Sequence, residues 1–296
     1  MNTKKWKLGI TQRYNLTGWI FLSLAALMIF WMSFYPMVSG FWLSLHTGAG
    51  ARMTFAGFAN YIRLLEDPVF RGVMGNTLLY LIVQVPIMLT LALIMASILN
   101  SPKLRFKGFY RTCIFLPCAT ALVSYAVIFR SLFAFDGYIN MLLMTLGILD
   151  SPFNFLGTAW SARMVIILGI TWRWTGYNMI FYLAGLQSIE KSVYDAAKID
   201  GATAVQILTR ITIPLLKPII LLTAIMSTNG TLQLFDESMN LTSGGPARAS
   251  MTISHYIFFT GFQGTANFGY AATLSYVVFI LVAILAFIQL KVADRR

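Results

Sequence analysis

Two polar clusters in this chain hold side chains able to grip a ligand, and both are embedded in apolar surroundings. The first is Trp172-Arg173-Trp174-Thr175 with Tyr177 and Asn178, which packs two indoles, a guanidinium, a phenol and an amide into residues 172–178. Aromatic faces stack on the C–H surfaces of sugar rings while amides and hydroxyls bond ring hydroxyls, so this mixture suits a saccharide. The second is Ser227, Thr228, Asn229, Gly230, Thr231 and Gln233, where Gly230 also loosens the backbone. Polar groups are expensive inside a bilayer, and those facing a bundle interior mark a path by default. The competing reading for each residue is helix packing with an aromatic belt. A helical repeat sets Arg173 and Tyr177 on one face. Arg173 then needs a counter-charge: Asp236, Glu237 or the carboxylate of an acidic saccharide, which a guanidinium grips with two parallel bonds.

Bond-making chemistry has no such support. No Gly-x-x-x-x-Gly-Lys-Ser/Thr segment is present, so ATP hydrolysis falls to another polypeptide. His46 and His255 lack nearby Cys, Asp or Glu at ligand spacing, and neither a catalytic nor a metal site is expected. Cys113 and Cys118, five residues apart in one apolar block, do not meet in disulfide geometry and read as packing residues.

The elements that position these clusters follow from composition. Of 296 residues 58% are hydrophobic and only 11% charged, against about 25% charged in a soluble domain. The excess lies in six apolar runs, 16–45, 76–99, 110–134, 164–186, 213–235 and 268–290, each near the roughly 20 residues that a helical crossing needs. An all-α membrane protein with about six transmembrane helices is expected. The first run is too long for a signal peptide and reads as a retained anchor. Fifteen of the 22 Lys and Arg fall in residues 1–15, 100–111, 187–217 and the tail, so both termini should be cytoplasmic. The net charge of +12 is thus an orientation signal, and no nucleic-acid partner is read from it. Residues 1–15 form a cytoplasmic segment and 16–296 one membrane domain. Three outward loops, 46–75, 135–163 and 236–267, are long enough to hold structure. In the first, Phe58, Tyr61, Ile62, Leu64 and Leu65 are spaced for an interfacial helix ended by Asp67-Pro68.

One cytoplasmic stretch, 187–217, behaves differently. It contains Asp195-Ala196-Ala197, Asp200-Gly201-Ala202, Leu208 and Ile213-Pro214. Residues 190–199 favour helix, Gly201 permits a left-handed stop, Asp200 can cap a second helix, and 202–212 resume the pattern. The product is a knob of two short helices tipped with small side chains, suited either to a groove on a soluble partner or to packing on the bundle's own end.

These residues resemble the EAA loop of permease subunits of ATP-binding-cassette importers, whose pattern is Glu-Ala-Ala, Asp-Gly-Ala, then Ile or Leu before Pro. Asp195 stands where the family usually has Glu, and Leu208 where it often has Phe. Leu241-Thr242-Ser243-Gly244-Gly245-Pro246, Tyr256-Ile257-Phe258 and Phe268-Gly269-Tyr270-Ala271-Ala272 resemble the carbohydrate-uptake permeases of the maltose type, as do Phe58-Asn60-Tyr61, Asn76-Thr77 and Phe115-Leu116-Pro117. The resemblance implies a type I importer permease fold in a bacterial cytoplasmic (inner) membrane. It also implies a second homologous permease, two cytoplasmic ATPase subunits that bind ATP and Mg, an extracytoplasmic solute-binding protein and a sugar substrate. The 187–217 loop would be the coupling helix seated in an ATPase cleft, and the fifth helix would line the sugar site. No large outer domain is inserted here, so carrier docking falls to the shorter loops. An ion-coupled secondary transporter would need acidic residues deep in a span, which are absent from the six runs. A non-transporting membrane subunit, or a permease for a solute such as a glycerophosphodiester, stays open.

Overall fold

The computed structural model describes residues 10–49, 52–263 and 265–294. Lys4, Lys5 and Lys7 of the basic N-terminal segment and Arg295 and Arg296 of the tail lie outside the described residues. Helices dominate. α1 (Ile10–Ile29) passes through a π-helical turn, Phe30–Phe34, into α2 (Tyr35–Ser44). The wide turn sits just before Pro36, whose ring would clash with an ordinary preceding turn and which has no N–H to donate. A two-stranded antiparallel ribbon, β1 (His46–Thr47) and β2 (Thr54–Phe55), pairs His46 with Phe55. α3 (Ala59–Glu66) then exposes Phe58, Ile62 and Leu65 while burying Leu64, the amphipathic pattern expected. Asp67 accepts the Val69 N–H at 2.8 Å and so caps α4 (Pro68–Asn100), with Pro68 at its first position.

α5 (Lys107–Ala119) and α6 (Leu122–Leu132) meet at 97°. Short α7 (Tyr138–Thr145) precedes α8 (Ala159–Ser188), the central helix, buried on most of its faces. Its Met179, Leu183 and Leu186 pack on Ala92, Ala96 and Leu99 of α4, where small side chains let the two helices approach closely. Gly176 serves the same end toward α5: a Cβ there would overlap the backbone carbonyl of Ile114. α9 (Lys191–Ile199), α10 (Ala204–Ile207), a second π turn at Leu208–Thr212 and α11 (Ile213–Leu232) follow. Here too the π turn comes just before a proline, Pro214. α12 (Asp236–Thr242), α13 (Ile253–Phe262) and α14 (Phe268–Asp294) complete the chain.

Among the described residues four segments are long and apolar enough to cross a bilayer: Thr17–Ser44, Pro68–Asn100, Ala204–Leu232 and Phe268–Val292. The bent α5–α6 pair makes a fifth if it is one broken span. The remaining expected span, 164–186, lies inside α8, which has the length at 30 residues but is diluted by Arg173, Asn178, Trp172 and Trp174. Two local expectations change. The second helix of the 187–217 knob is no separate helix, because α10 runs through the π turn into α11. Its cap is Thr203, which accepts the Gln206 N–H while Gln206 accepts the Thr203 N–H, and not Asp200.

Candidate functional site

A cavity of about 520 Å³ lies where α4, α8, α11 and the start of α12 converge. α8 contributes Trp174, Tyr177 and Asn178, and α11 contributes Ser227, Gly230 and Thr231, with Gln233 just beyond its end. Both sets follow the i, i+3, i+4 stripe of a helix face, which sorts each cluster into lining and non-lining members. Trp172 falls on the other face, its ring centroid 5.4 Å from that of Phe129. Asn229 is exposed and accepts the Gln233 amide at 2.6 Å. Gln84 and Met88 of α4 and several apolar lining residues, among them Leu122 and Met226, went unread in the sequence, although a single amide amid the apolar run of residues 76–99 is a recognisable signal. Asp236 and Glu237, expected only as charge partners, line the cavity as well.

The polar groups here are loosely satisfied. Gln84 Nε2 donates to Met88 Sδ at 3.1 Å, and Asn178 Nδ2 donates to the same sulfur at 3.7 Å and to Trp174 O at 3.0 Å. Thr231 Oγ1 donates to Gln84 Oε1 at 3.3 Å. A thioether is a weak acceptor, so a hydroxyl oxygen entering the cavity would offer both amides a better one.

Arg173 takes no part in this lining. It is buried, and its guanidinium donates to Pro117 O (3.3 Å), Thr120 Oγ1 (3.3 Å), Cys118 O (3.4 Å) and Thr120 O (2.8 Å). The carbonyls of Cys118 and Thr120 are left without helical partners where α5 stops and the chain turns into α6, so the side chain staples the 97° bend. Its charge also lies 5.0 Å from the Tyr125 ring centroid and 5.7 Å from that of Trp174. The ion pair with Asp236 or Glu237 does not form; Lys198 with Asp195 is the ion pair among the described residues.

Beyond Glu237 the chain runs through α12 into a loop, residues 243–252. α4 holds it: Asn76 Nδ2 donates to Met251 O (2.9 Å), Tyr80 to Ser250 O (3.1 Å), and Thr77 Oγ1 accepts from Ile253 N (3.0 Å). Beneath it Ser238 Oγ and His255 Nδ1 are 2.9 Å apart, fully enclosed, which makes His255 a packing group. Burial lowers the His255 pKa. Burial raises that of Glu237, with Asp236 adding to the rise, against its own backbone N–H and the field of Arg173.

At the other end of α11 stands the small-residue knob. Gly201 has φ +76°, ends α9 by donating to Lys198 O, and lets Ala202 N reach Ala197 O at 2.9 Å. Ala197 is buried, while Ile199 and Val205 are 87% and 69% exposed. Asp195 pairs with Lys198 at 3.0 Å, an exposed contact worth little. Asp195, Ala196, Asp200 and Gly201 are all exposed, whereas Leu208 and Pro214 belong to the stem that becomes α11. From Ala204 to Leu232 the helix is continuous, about 43 Å at about 1.5 Å per residue, and it joins the knob to the cavity wall.

Comparison with known proteins agrees with this architecture. The chain is 49% identical over 290 residues to a lactose transport system permease protein of Rhizobium radiobacter, covering 97% of both chains. It is 31% identical to an arabinooligosaccharides transport system permease protein of Halalkalibacterium halodurans, covering 88% of this chain and 82% of that one. A solved bacterial ABC transporter involved in import of the acidic polysaccharide alginate shares the fold, with a TM-score of 0.80 at 23% identity over 97% of each chain. The profile of the binding-protein-dependent transport system inner membrane components matches residues 88–296, and the chain belongs to that family.

Proposed function

We propose that this chain is one membrane half of an ATP-driven sugar importer of a bacterial cytoplasmic membrane. It pairs with a second, homologous permease, with two ATPase subunits on the cytoplasmic side, and with a solute-binding protein on the other side. ATP and Mg belong on the ATPases; this chain binds neither and makes or breaks no bond. The knob of Asp195, Ala196, Ala197, Asp200, Gly201 and Ala202 faces the cytoplasm and seats in an ATPase cleft, which would leave both termini on that side.

The observation that carries this reading is the unbroken helix from Ala204 to Leu232. One end bears an exposed apolar and small-residue tip; the other presents Ser227, Gly230 and Thr231 to a cavity of hydroxyls, amides and aromatic rings. A displacement of the tip on ATPase closure is passed to the cavity wall as a rigid-body motion, which is what alternating access requires. Opening outward receives sugar from the binding protein, and hydrolysis returns the inward-facing state. Membership of a binding-protein-dependent family sets aside the ion-coupled alternative.

The test is uptake of radiolabelled sugar into proteoliposomes holding the co-expressed permeases and ATPases, with the binding protein added outside. Uptake requiring both ATP and binding protein is expected. Uptake that follows an imposed ion gradient without ATP would refute the reading.

A further inference from the structure

The fold is shared with an importer of the acidic polysaccharide alginate, while 49% sequence identity links the chain to a lactose permease. The fold therefore leaves the charge of the sugar undecided, and the cavity lining has to decide it. No Lys, Arg or His among the described residues lines the cavity. Among the described residues the cation buried beside it, Arg173, gives both terminal nitrogens to Pro117, Cys118 and Thr120, while its Nε has no partner. The charged groups that do line it are two carboxyls, Asp236 half-buried and Glu237 only 3% exposed. The remaining polar groups, notably Gln84 and Asn178 with their amides resting on Met88 Sδ, are neutral donors and acceptors fitted to hydroxyls.

We propose that the half-pathway built by this chain admits neutral saccharides and turns away uronic ones, with Asp236 as the discriminating side chain. This rests on the transport reading above and narrows it to a substrate class. A sphere of 520 Å³ is about 10 Å across, so a sugar carboxylate anywhere inside lies within about 10 Å of the acidic wall. At an effective dielectric of about 20, one ionised carboxyl at that distance weakens binding of an anion on the order of tenfold, and a closer approach weakens it more.

The experiment uses the assembled transporter, both permeases and both ATPases, reconstituted without binding protein so that the carrier's own selectivity does not enter. Binding of lactose and of the same disaccharide oxidised at a C6 hydroxymethyl to its uronic acid is compared by saturation-transfer NMR. Lactose is expected to bind at least about tenfold more tightly. Asp236→Asn should shrink that ratio below about threefold, since it removes the charge and keeps the shape. Gln233→Lys, at an exposed position on the same wall, should raise uronate binding without relying on a buried substitution. Equal binding of the two sugars by the wild type, or a ratio unmoved by both variants, overturns the proposal. ATPase stimulation by sugar-loaded binding protein is measured on the same vesicles. Stimulation without discrimination removes the selectivity proposal alone, whereas absence of both stimulation and lactose binding removes the transport reading with it.

Discussion

Replacing Arg173 separates a structural role from a ligand-binding one. In Arg173→Met the side chain keeps much of its length and apolar stem, but all four donated bonds at the α5–α6 bend are lost. Pro117 O retains other donors, the Thr120 N–H and hydroxyl, so the loss falls on Cys118 O and Thr120 O. Each buried acceptor left unpaired costs about 1–3 kcal/mol, giving about 2–6 kcal/mol for the pair. Thermal unfolding of the purified complex in detergent should accordingly show Tm lower by about 3–10 °C. Arg173→Lys, which keeps the charge but cannot fork across the bend, should fall between the two. Sugar affinity of whatever folded complex survives should be little changed, because Arg173 does not line the cavity. A variant with unaltered Tm that loses affinity for an acidic sugar would refute the structural assignment and restore Arg173 as a ligand.

Other substitutions probe the remaining supports. Gly176→Ala drives a methyl into the Ile114 carbonyl and should force α5 from α8, lowering Tm and the yield of folded complex; normal yield and Tm would contradict that close approach. Thr203→Ala removes the reciprocal Thr203–Gln206 cap, worth about 1 kcal/mol. Hydrogen exchange at the amides of Ala204–Ile207 should then speed up several-fold while the far end of α11 is unaffected. Asp67 is held below its ordinary value of 3.8 although burial alone would raise it, because Tyr270 and Tyr256 hydroxyls and the Val69 and Phe70 N–H groups favour the carboxylate. Its contribution is present in full above the unfolded value and lost as pH falls through the lower folded value. Tm of the wild type should therefore hold between about pH 7 and 5 and fall below about pH 4. Asp67→Asn should start lower at pH 7 and fall less, and parallel curves would show that Asp67 is no such anchor.

The apolar runs at residues 76–99, 213–235 and 268–290 were legible because a bilayer demands length and apolarity, which composition reports directly. The run at 110–134 was legible as apolar but not as bent: the turn depends on Thr120 and Ala121 leaving helical geometry and on a guanidinium from α8 arriving to hold it. Arg173 shows the general difficulty. Residue type and spacing announced a buried cation needing partners, and the partners were backbone carbonyls at a helix end, which carry no sequence signature. In the cavity, helical periodicity would have parted Trp174, Tyr177 and Asn178 from Trp172 had the facing direction of α8 been known, but Arg173 shares a face with Tyr177 by spacing and is drawn out of the lining by the carbonyls at the α5–α6 bend. Gln84 needed a tertiary contact, Thr231 of α11, before its isolation in α4 acquired meaning. The knob was the most legible feature, since Gly201 sits where a left-handed residue is required, yet the capping residue was Thr203 two positions on.

Whether the knob transmits ATPase work to the cavity is tested most directly at Gly201. A Cβ at Gly201 would meet nothing within 4 Å, so a substitution there leaves the chain's own packing undisturbed. With φ at +76°, any L residue adds about 1–2 kcal/mol of local strain, which Gly201→Ala measures as a control. The decisive measurement counts ATP hydrolysed and sugar imported side by side in proteoliposomes of wild type, Gly201→Ala and Gly201→Asp. Coupling predicts that Gly201→Asp assembles, loses sugar-stimulated hydrolysis and imports at least about tenfold less than wild type, with Gly201→Ala between them. Wild-type stimulation and import by Gly201→Asp would contradict the central claim.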